Sequence, residues 1–259
     1  MASGPGGDFV VIGKRAAVQS TRLATTSSAG FDLQWERDMC GRFTLRASAS
    51  EIAEFFGLMR DLVEWDTPRF NIAPTQSILA VRAGSAGREP VRLRWGLIPS
   101  WAKDTKLAAS MINARAETVA EKPAFRAAFK RRRCLVPVSG FYEWRRDGKS
   151  KVPYVISLRN AGLFAFAGLW EKWKSPDGDL VESCTVLTTS PNELMATIHD
   201  RMPVILKPAD YGVWLDPQQE DAGALSTLLV PYPTDEMQAE QVSDIVNNAR
   251  NEVDPRLPR

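Results

Sequence analysis

The sequence predicts an α+β fold, a single domain around a curved, barrel-like antiparallel β-sheet with short flanking helices. Three observations carry that expectation: many short apolar runs of strand length, few stretches with helical spacing, and no strand–helix–strand rhythm. With 259 residues the chain can bury a real core. Its hydrophobic fraction of 44% and charged fraction of 25% are ordinary for a globular protein. No apolar run approaches the roughly 18 residues of a membrane span.

Residues 1–38 stand apart, rich in Gly, Ser, Ala and Thr around a short apolar "DFVVIGK". Their start lacks the basic stretch followed by an apolar one that marks a secretory signal. They are expected to be a leader outside the folded unit, disordered or upstream of the true start. From Met39 the composition tightens, and residues 39–250 are expected to form the domain, with 251–259 as a C-terminal tail.

Within the domain, "SASEIAEFFGL" reads as a short helix. Ser48 and Glu51 suit a capping box, Ile52, Phe55 and Phe56 one apolar face, and Gly57 a stop. In "VRLRWGLIP" the alternation of Val91, Leu93 and Trp95 predicts a strand. "EKPAFRAAFKRRR" suits a helix with Pro123 in its first turn and Phe125, Ala128 and Phe129 turned inward. Strands are expected at "CLVPV", "VPYVISL", "LFAFAGLW", "SCTVLTT" and "MPVIL". Between the last two, "SPNELMATI" predicts a helix capped by Ser190 and Glu193, with His199 just past its end.

The chemistry-bearing residues are few. Three widely spaced cysteines, Cys40, Cys134 and Cys184, argue against a disulfide framework. One histidine and no Cys-x-x-Cys pair argue against zinc, and no phosphate-loop or dinucleotide fingerprint is present. Neither a metal nor an organic cofactor is therefore expected. A net charge of +2 does not demand a nucleic-acid partner, although the clusters "KRRR" (130–133) and "RR" (145–146) allow one.

Cys40 follows Met39, so a start at Met39 with removal of that methionine would expose an N-terminal cysteine. Its α-amino group would be roughly 10–15% neutral at pH 7, against about 0.04% for a lysine. Such an amine attacks an aldehyde to give a Schiff base, and the neighbouring thiol then closes a five-membered thiazolidine. An internal Cys40 would form only a labile hemithioacetal, and a small buried cysteine is the competing interpretation. His199, beside Asp200 and Arg201, is a candidate acid or base, or a turn residue. Glu143 sits among aromatics in "VSGFYEWRR", where partial burial would suit it to proton transfer; alternatively it pairs with Arg145 or Arg146. In "INARAET", Asn113, Arg115 and Glu117 alternate onto one side of an extended stretch, fitting phosphate and sugar contacts or a plain polar face. Asn71 in "RFNIAPTQ" and Trp101 in "WGLIPSWAKD" join this set, since exposed aromatics near Arg and Lys can stack unpaired bases.

Taken together and in order, "MCGRF", "RFNIAPTQ", "WGLIPSWAKD", "INARAET", "RRCLVPVSGFYEW" and "IHDRMPVIL" resemble the motif series of the SRAP family, abasic-site processing proteins. The resemblance spans about residues 39 to 250 and begins at the Met-Cys. It implies single-stranded DNA containing abasic sites as the partner, single/double-strand junctions included, and a thiazolidine crosslink formed by Cys40 as mature N-terminus. It further implies Asn113, Glu143 and His199 as catalytic groups: Asn113 to position the amine and sugar, Glu143 as acid/base, His199 to protonate the sugar oxygen or hold phosphate. Arg42, Arg115 and Arg201 would bind phosphates, and Trp101 would stack where strand meets duplex. Some relatives carry a second aromatic after that tryptophan, where this chain has Ala102. The "peptidase" in the family's full name, SOS-response-associated peptidase, refers to the same cysteine and to removal of the residues preceding it. A monomer, cytoplasmic and nucleoid-associated, is expected. The competing classes are a Cys–His peptidase using Cys40 and His199 on other proteins, and a binding module without chemistry.

Overall fold

The computed structural model describes residues 41–59 and 67–257, together with Met1, Leu62 and Trp65. Apart from Met1, the expected leader lies outside the described residues, as do Met39 and Cys40. The chain opens with β1 (Phe43–Leu45), α1 (Ala49–Phe56), β2 (Arg69–Ile72), β3 (Ser77–Gly84), β4 (Gly87–Trp95) and β5 (Asn113–Arg115). After α2 (Arg126–Arg131) come β6 (Arg133–Val138), β7 (Gly140–Asp147), β8 (Ser150–Leu158), β9 (Phe164–Lys174) and β10 (Leu180–Thr189). The remainder comprises α3 (Glu193–Ala196), β11 (Met202–Pro203), β12 (Ile205–Leu206), α4 (Tyr211–Leu215), α5 (Ala222–Ser226) and β13 (Met237–Gln241).

The expected barrel is present as a ring. β4 pairs with β3, β3 with β6, β6 with β9 and β9 with β10, all antiparallel. β10 then returns to β4 through Ser183↔Arg94 and Cys184↔Trp95, and this closing pair is parallel. Parity requires it, because five strands in a closed ring cannot all alternate in direction. A second sheet, in the order β13-β8-β7-β1-β2, lies beside the ring. Phe43 and Phe141 of that sheet join the two layers: Phe43 packs on Trp95 with ring centroids 5.3 Å apart, and Phe141 on Phe166 at 5.6 Å.

Local chemistry accounts for the helices. Ser48 and Glu51 form the capping box of α1, and Gly57 ends it in the left-handed region at φ 63°. Ile52 and Phe56 are fully buried, while Phe55 lies at the edge of that face, against Phe56 and Tyr211. α2 is shorter than its apolar spacing predicts. Turns occupy 116–121 and 123–125, so Pro123 precedes the helix, although Phe125, Ala128 and Phe129 are buried as expected. The cap of α3 is Asn192, whose side chain accepts from the Met195 amide, rather than Ser190. Pro191 lies between them, and an asparagine adjoining the first helical residue takes the capping bond.

The run "KRRR" is consumed by the fold, apart from its first residue. Arg131 pairs with Glu220 and Arg132 with Glu171. Arg133 is buried and points its guanidinium at the carbonyls of Phe129, Lys130, Trp214, Asp216 and Gln219. Five N–H groups thus meet five carbonyls, the full donor capacity of an arginine. Arg133→Ala leaves those carbonyls without their donor, and is expected to cost on the order of 3 kcal/mol in urea denaturation. A destabilisation below 1 kcal/mol would contradict this role.

The C-terminal stretch is bound into the second sheet. Glu252 pairs with Arg69 and accepts from the amides of Phe70 and Asn71, covering the open edge of β2. The Ser243 amide donates to the carbonyl of Pro255. Among the described residues, no helix is long and apolar enough to cross a membrane.

Candidate active site

A pocket of about 680 Å³ opens beside β5 and the end of α3. Five of the expected site residues line it: Trp101, Asn113, Arg115, His199 and Arg201. β5 is fixed there by parallel pairing with β10, Asn113 lying opposite Val186. The indole of Trp95 donates to the carbonyl of Ile112, one residue before Asn113, at 2.9 Å. His199 follows α3, and its amide still closes that turn on the Met195 carbonyl.

Two polar contacts set the pocket's chemistry. His199 Nδ1 lies 2.9 Å from Asp200 Oδ1 and 3.3 Å from the Arg201 amide nitrogen. One ring nitrogen cannot donate to the first and accept from the second at once. The Arg201 amide donates to Nδ1 and the Asp200 carboxylate stands beside the same nitrogen, so Nε2 is the ring nitrogen that these neighbours leave unengaged. Arg201 grips Glu117 with both terminal nitrogens, at 2.9 Å for Nη2, and donates to the Thr188 carbonyl at 2.7 Å. That pairing holds the Glu117 carboxyl below its ordinary pKa. Arg201 is therefore pre-oriented by a carboxylate in the forked geometry that also suits a phosphate.

Trp101 is 58% exposed, a platform at the rim rather than a core residue. Ala102, at the position after it, is buried, and its carbonyl accepts from the Trp173 indole. Arg115 and Lys122 are exposed and add positive charge to the pocket lining. Lys122, Asp200 and Thr188 were not singled out as site residues from the sequence. Asp200 alone had a signal there, its adjacency to His199 in "IHDR".

The remaining expected residues sit on the second sheet. Glu143, in β7, is 3% exposed and lies opposite Tyr154 of β8. β1 runs antiparallel to β7 with Phe43 opposite Phe141, and the Tyr142 amide donates to the Arg42 carbonyl at 3.0 Å. Continuing this register by two residues sets Gly41 across from Glu143. Asn71 is 1% exposed, and its amide group donates to the carbonyls of Val246 and Asn248. Arg42 donates to Asn71 Oδ1 and to the Val246 carbonyl, and its guanidinium lies 5.8 Å from the Trp144 ring. Trp144 in turn donates to Asn247. Arg42 and Asn71 thus bind the C-terminal segment to the sheet that carries the start of the described chain.

The sheet and the pocket meet through one tryptophan. Phe43 packs on Trp95, and the Trp95 indole holds Ile112 next to Asn113. The two other cysteines are no rivals for Cys40, which lies outside the described residues. Cys134 and Cys184 are fully buried; burial pushes the Cys134 thiol up to about 12 and the Cys184 thiol well above its usual value. Neither supplies a thiolate near neutral pH.

A family model described as SOS response associated peptidase (SRAP) matches residues 39–249. The chain is 49% identical over 215 residues to the abasic site processing protein YoqW of Bacillus subtilis (strain 168), covering 82% of this chain and 96% of that protein. Over 193 residues it is 35% identical to the abasic site processing protein HMCES of Xenopus tropicalis, covering 65% of this chain and 57% of that one. A crystal structure of a protein from Bacteroides thetaiotaomicron shares the fold at a TM-score of 0.78 and 28% identity, covering 84% of this chain and 98% of that one. The ring of strands, the pocket beside β5 and a match over most of the folded chain lead to one statement of kinship: this chain belongs to the SRAP family.

Proposed function

We propose that this protein processes abasic sites in DNA, binding the single strand and linking to it covalently through Cys40 as the N-terminal residue. The observation that carries the reading is the pocket that gathers Trp101, Asn113, Arg115, His199 and Arg201. Its contents suit one lesion: stacking for a base, cations for flanking phosphates, and an acid/base at the sugar. Two features support the link to Cys40. The family match begins at residue 39. Gly41, to which Cys40 is bonded, falls across from the buried Glu143 when the β1–β7 register is continued by two residues.

The reaction needs no oxidant or reductant. The ring-opened sugar presents an aldehyde, and the Cys40 amine adds to it and expels water, leaving an imine. The Cys40 sulfur then bonds to the imine carbon while its proton passes to nitrogen, closing the thiazolidine. Glu143 and His199 move the protons of ring opening and dehydration, His199 through Nε2. Asn113 holds the amine and the sugar, and Arg115 and Arg201 hold phosphates. Arg42 and Asn71 act from behind, fixing the strand that leads to Cys40. Residues 1–39 are absent from the working protein, either because synthesis starts at Met39 and that methionine is removed or through self-cleavage at the cysteine. A single/double-strand junction fits a platform such as Trp101 at the rim. The protein works as a monomer in the cytoplasm, at the nucleoid.

The direct test compares a single strand carrying an abasic site with one carrying an analogue that lacks the aldehyde. An adduct stable to denaturant is expected with the first alone; adducts with both, or with neither, would reject the reading. Trp101→Ala is expected to weaken binding to either strand by about 1–3 kcal/mol, measured by fluorescence anisotropy. An unchanged affinity would remove Trp101 from the strand path.

A further inference from the structure

Of the six cations from Lys122 to Arg133, three are left over once the fold's own pairings are made. Arg131 and Arg132 are tied to carboxylates and Arg133 is buried on carbonyls. Lys122, Arg126 and Lys130 are exposed and make no ion pair among the described residues. They recur every fourth residue, and the backbone joins them in helical fashion. The Arg126 amide donates to the Lys122 carbonyl, and α2 continues through Lys130. On α2, Arg126 and Lys130 at that spacing share one face with Cβ atoms about 6 Å apart.

Their placement gives the stripe a direction. Lys122 lines the His199 pocket, whereas Arg126 and Lys130 line a neighbouring hollow of about 440 Å³ with Ala120, Glu121 and Ala127. The chain from Lys122 to Lys130 therefore contributes cations to both hollows. The floor of the second is small side chains, and Glu121 is its one acidic group. A flexible polyanion leaving the pocket meets unpaired cations there.

We propose that Arg126 and Lys130, continuing from Lys122, form a phosphate track that extends the single-stranded DNA footprint out of the pocket and along α2. The proposal rests on the strand-binding part of the proposed function but not on the covalent chemistry. The cations act as point charges on the backbone, so the track reads no sequence and contributes through release of counter-ions.

The test is the salt dependence of equilibrium binding to a long undamaged single strand, for protein beginning at Cys40. Each phosphate contact on a single strand contributes a slope of about −0.7 in log K against log salt. R126Q/K130Q is therefore expected to flatten the slope by about 1.4. The variant's affinity should then fall about sevenfold less than that of the unaltered protein over a fourfold rise in salt. R126K/K130R should keep the original slope, and a strand too short to leave the pocket should bind both variants alike. An unchanged slope for R126Q/K130Q, or an equal loss in R126K/K130R, would overturn the track. Adduct formation by unaltered protein at an abasic site is scored separately, so failure of the chemistry is distinguishable from failure of the track.

Discussion

Protein beginning at Cys40 is expected to be trapped on abasic single strands, and Cys40→Ala to form no stable adduct at all. The effect is all-or-none because no other group offers an amine and a thiol on adjacent carbons. Cys134 and Cys184 are buried inside the fold with thiols held protonated. Surface lysines are neutral about three hundred times less often than an N-terminal amine at pH 7. Cys40→Ser separates the two steps. It keeps the amine, so a borohydride-trappable imine should persist, while the heat-stable product should be lost. Survival of the stable product in Cys40→Ser would exclude sulfur from the linkage.

The second large effect is expected from the proton-transfer groups. Glu143→Gln and His199→Ala should each slow single-turnover crosslinking by about 10²- to 10⁴-fold, the usual worth of a positioned acid or base. Binding to an analogue without an aldehyde should change little, because neither group is a principal phosphate contact. Asp200 allows a finer test of the His199 geometry. Its carboxylate lies 2.9 Å from His199 Nδ1, so Asp200→Asn should slow crosslinking while leaving strand affinity in place. Loss of affinity in step with rate would mean that these residues bind rather than catalyse.

Much of this was legible in the chain because the signals are local. The capping box of α1 is written in Ser48 and Glu51, and Gly57 marks the stop. The strand at Trp95 is written in alternation, and Leu93 and Trp95 are buried as that alternation predicts. Strand pairing between distant segments is not local. Nothing in "SCTVLTT" says that Cys184 will lie parallel to Trp95, a consequence of closing a ring with an odd number of strands. The site follows the same division. Trp101, Asn113, Arg115, His199 and Arg201 share one pocket, yet only the fold explains why residues so far apart in sequence meet. Arg42 and Asn71 look like surface ligands in the sequence. Their engagement with Val246 and Asn248 depends on where the C-terminal segment returns, which no short motif encodes. The run 130–133 is the converse case: four cations read as one patch, while the fold divides them among two ion pairs, one buried clamp and one exposed lysine.

The central claim is that the chemistry belongs to a free amine on Cys40. The most direct measurement is mass analysis of the adduct formed with an abasic single strand by protein beginning at Cys40, beside the same protein acetylated at its N-terminus. The account predicts a mass equal to protein plus DNA minus one water, mapped to Cys40, and no stable adduct from the acetylated protein. An equal yield from acetylated protein, or an adduct mapped to another residue, would contradict it.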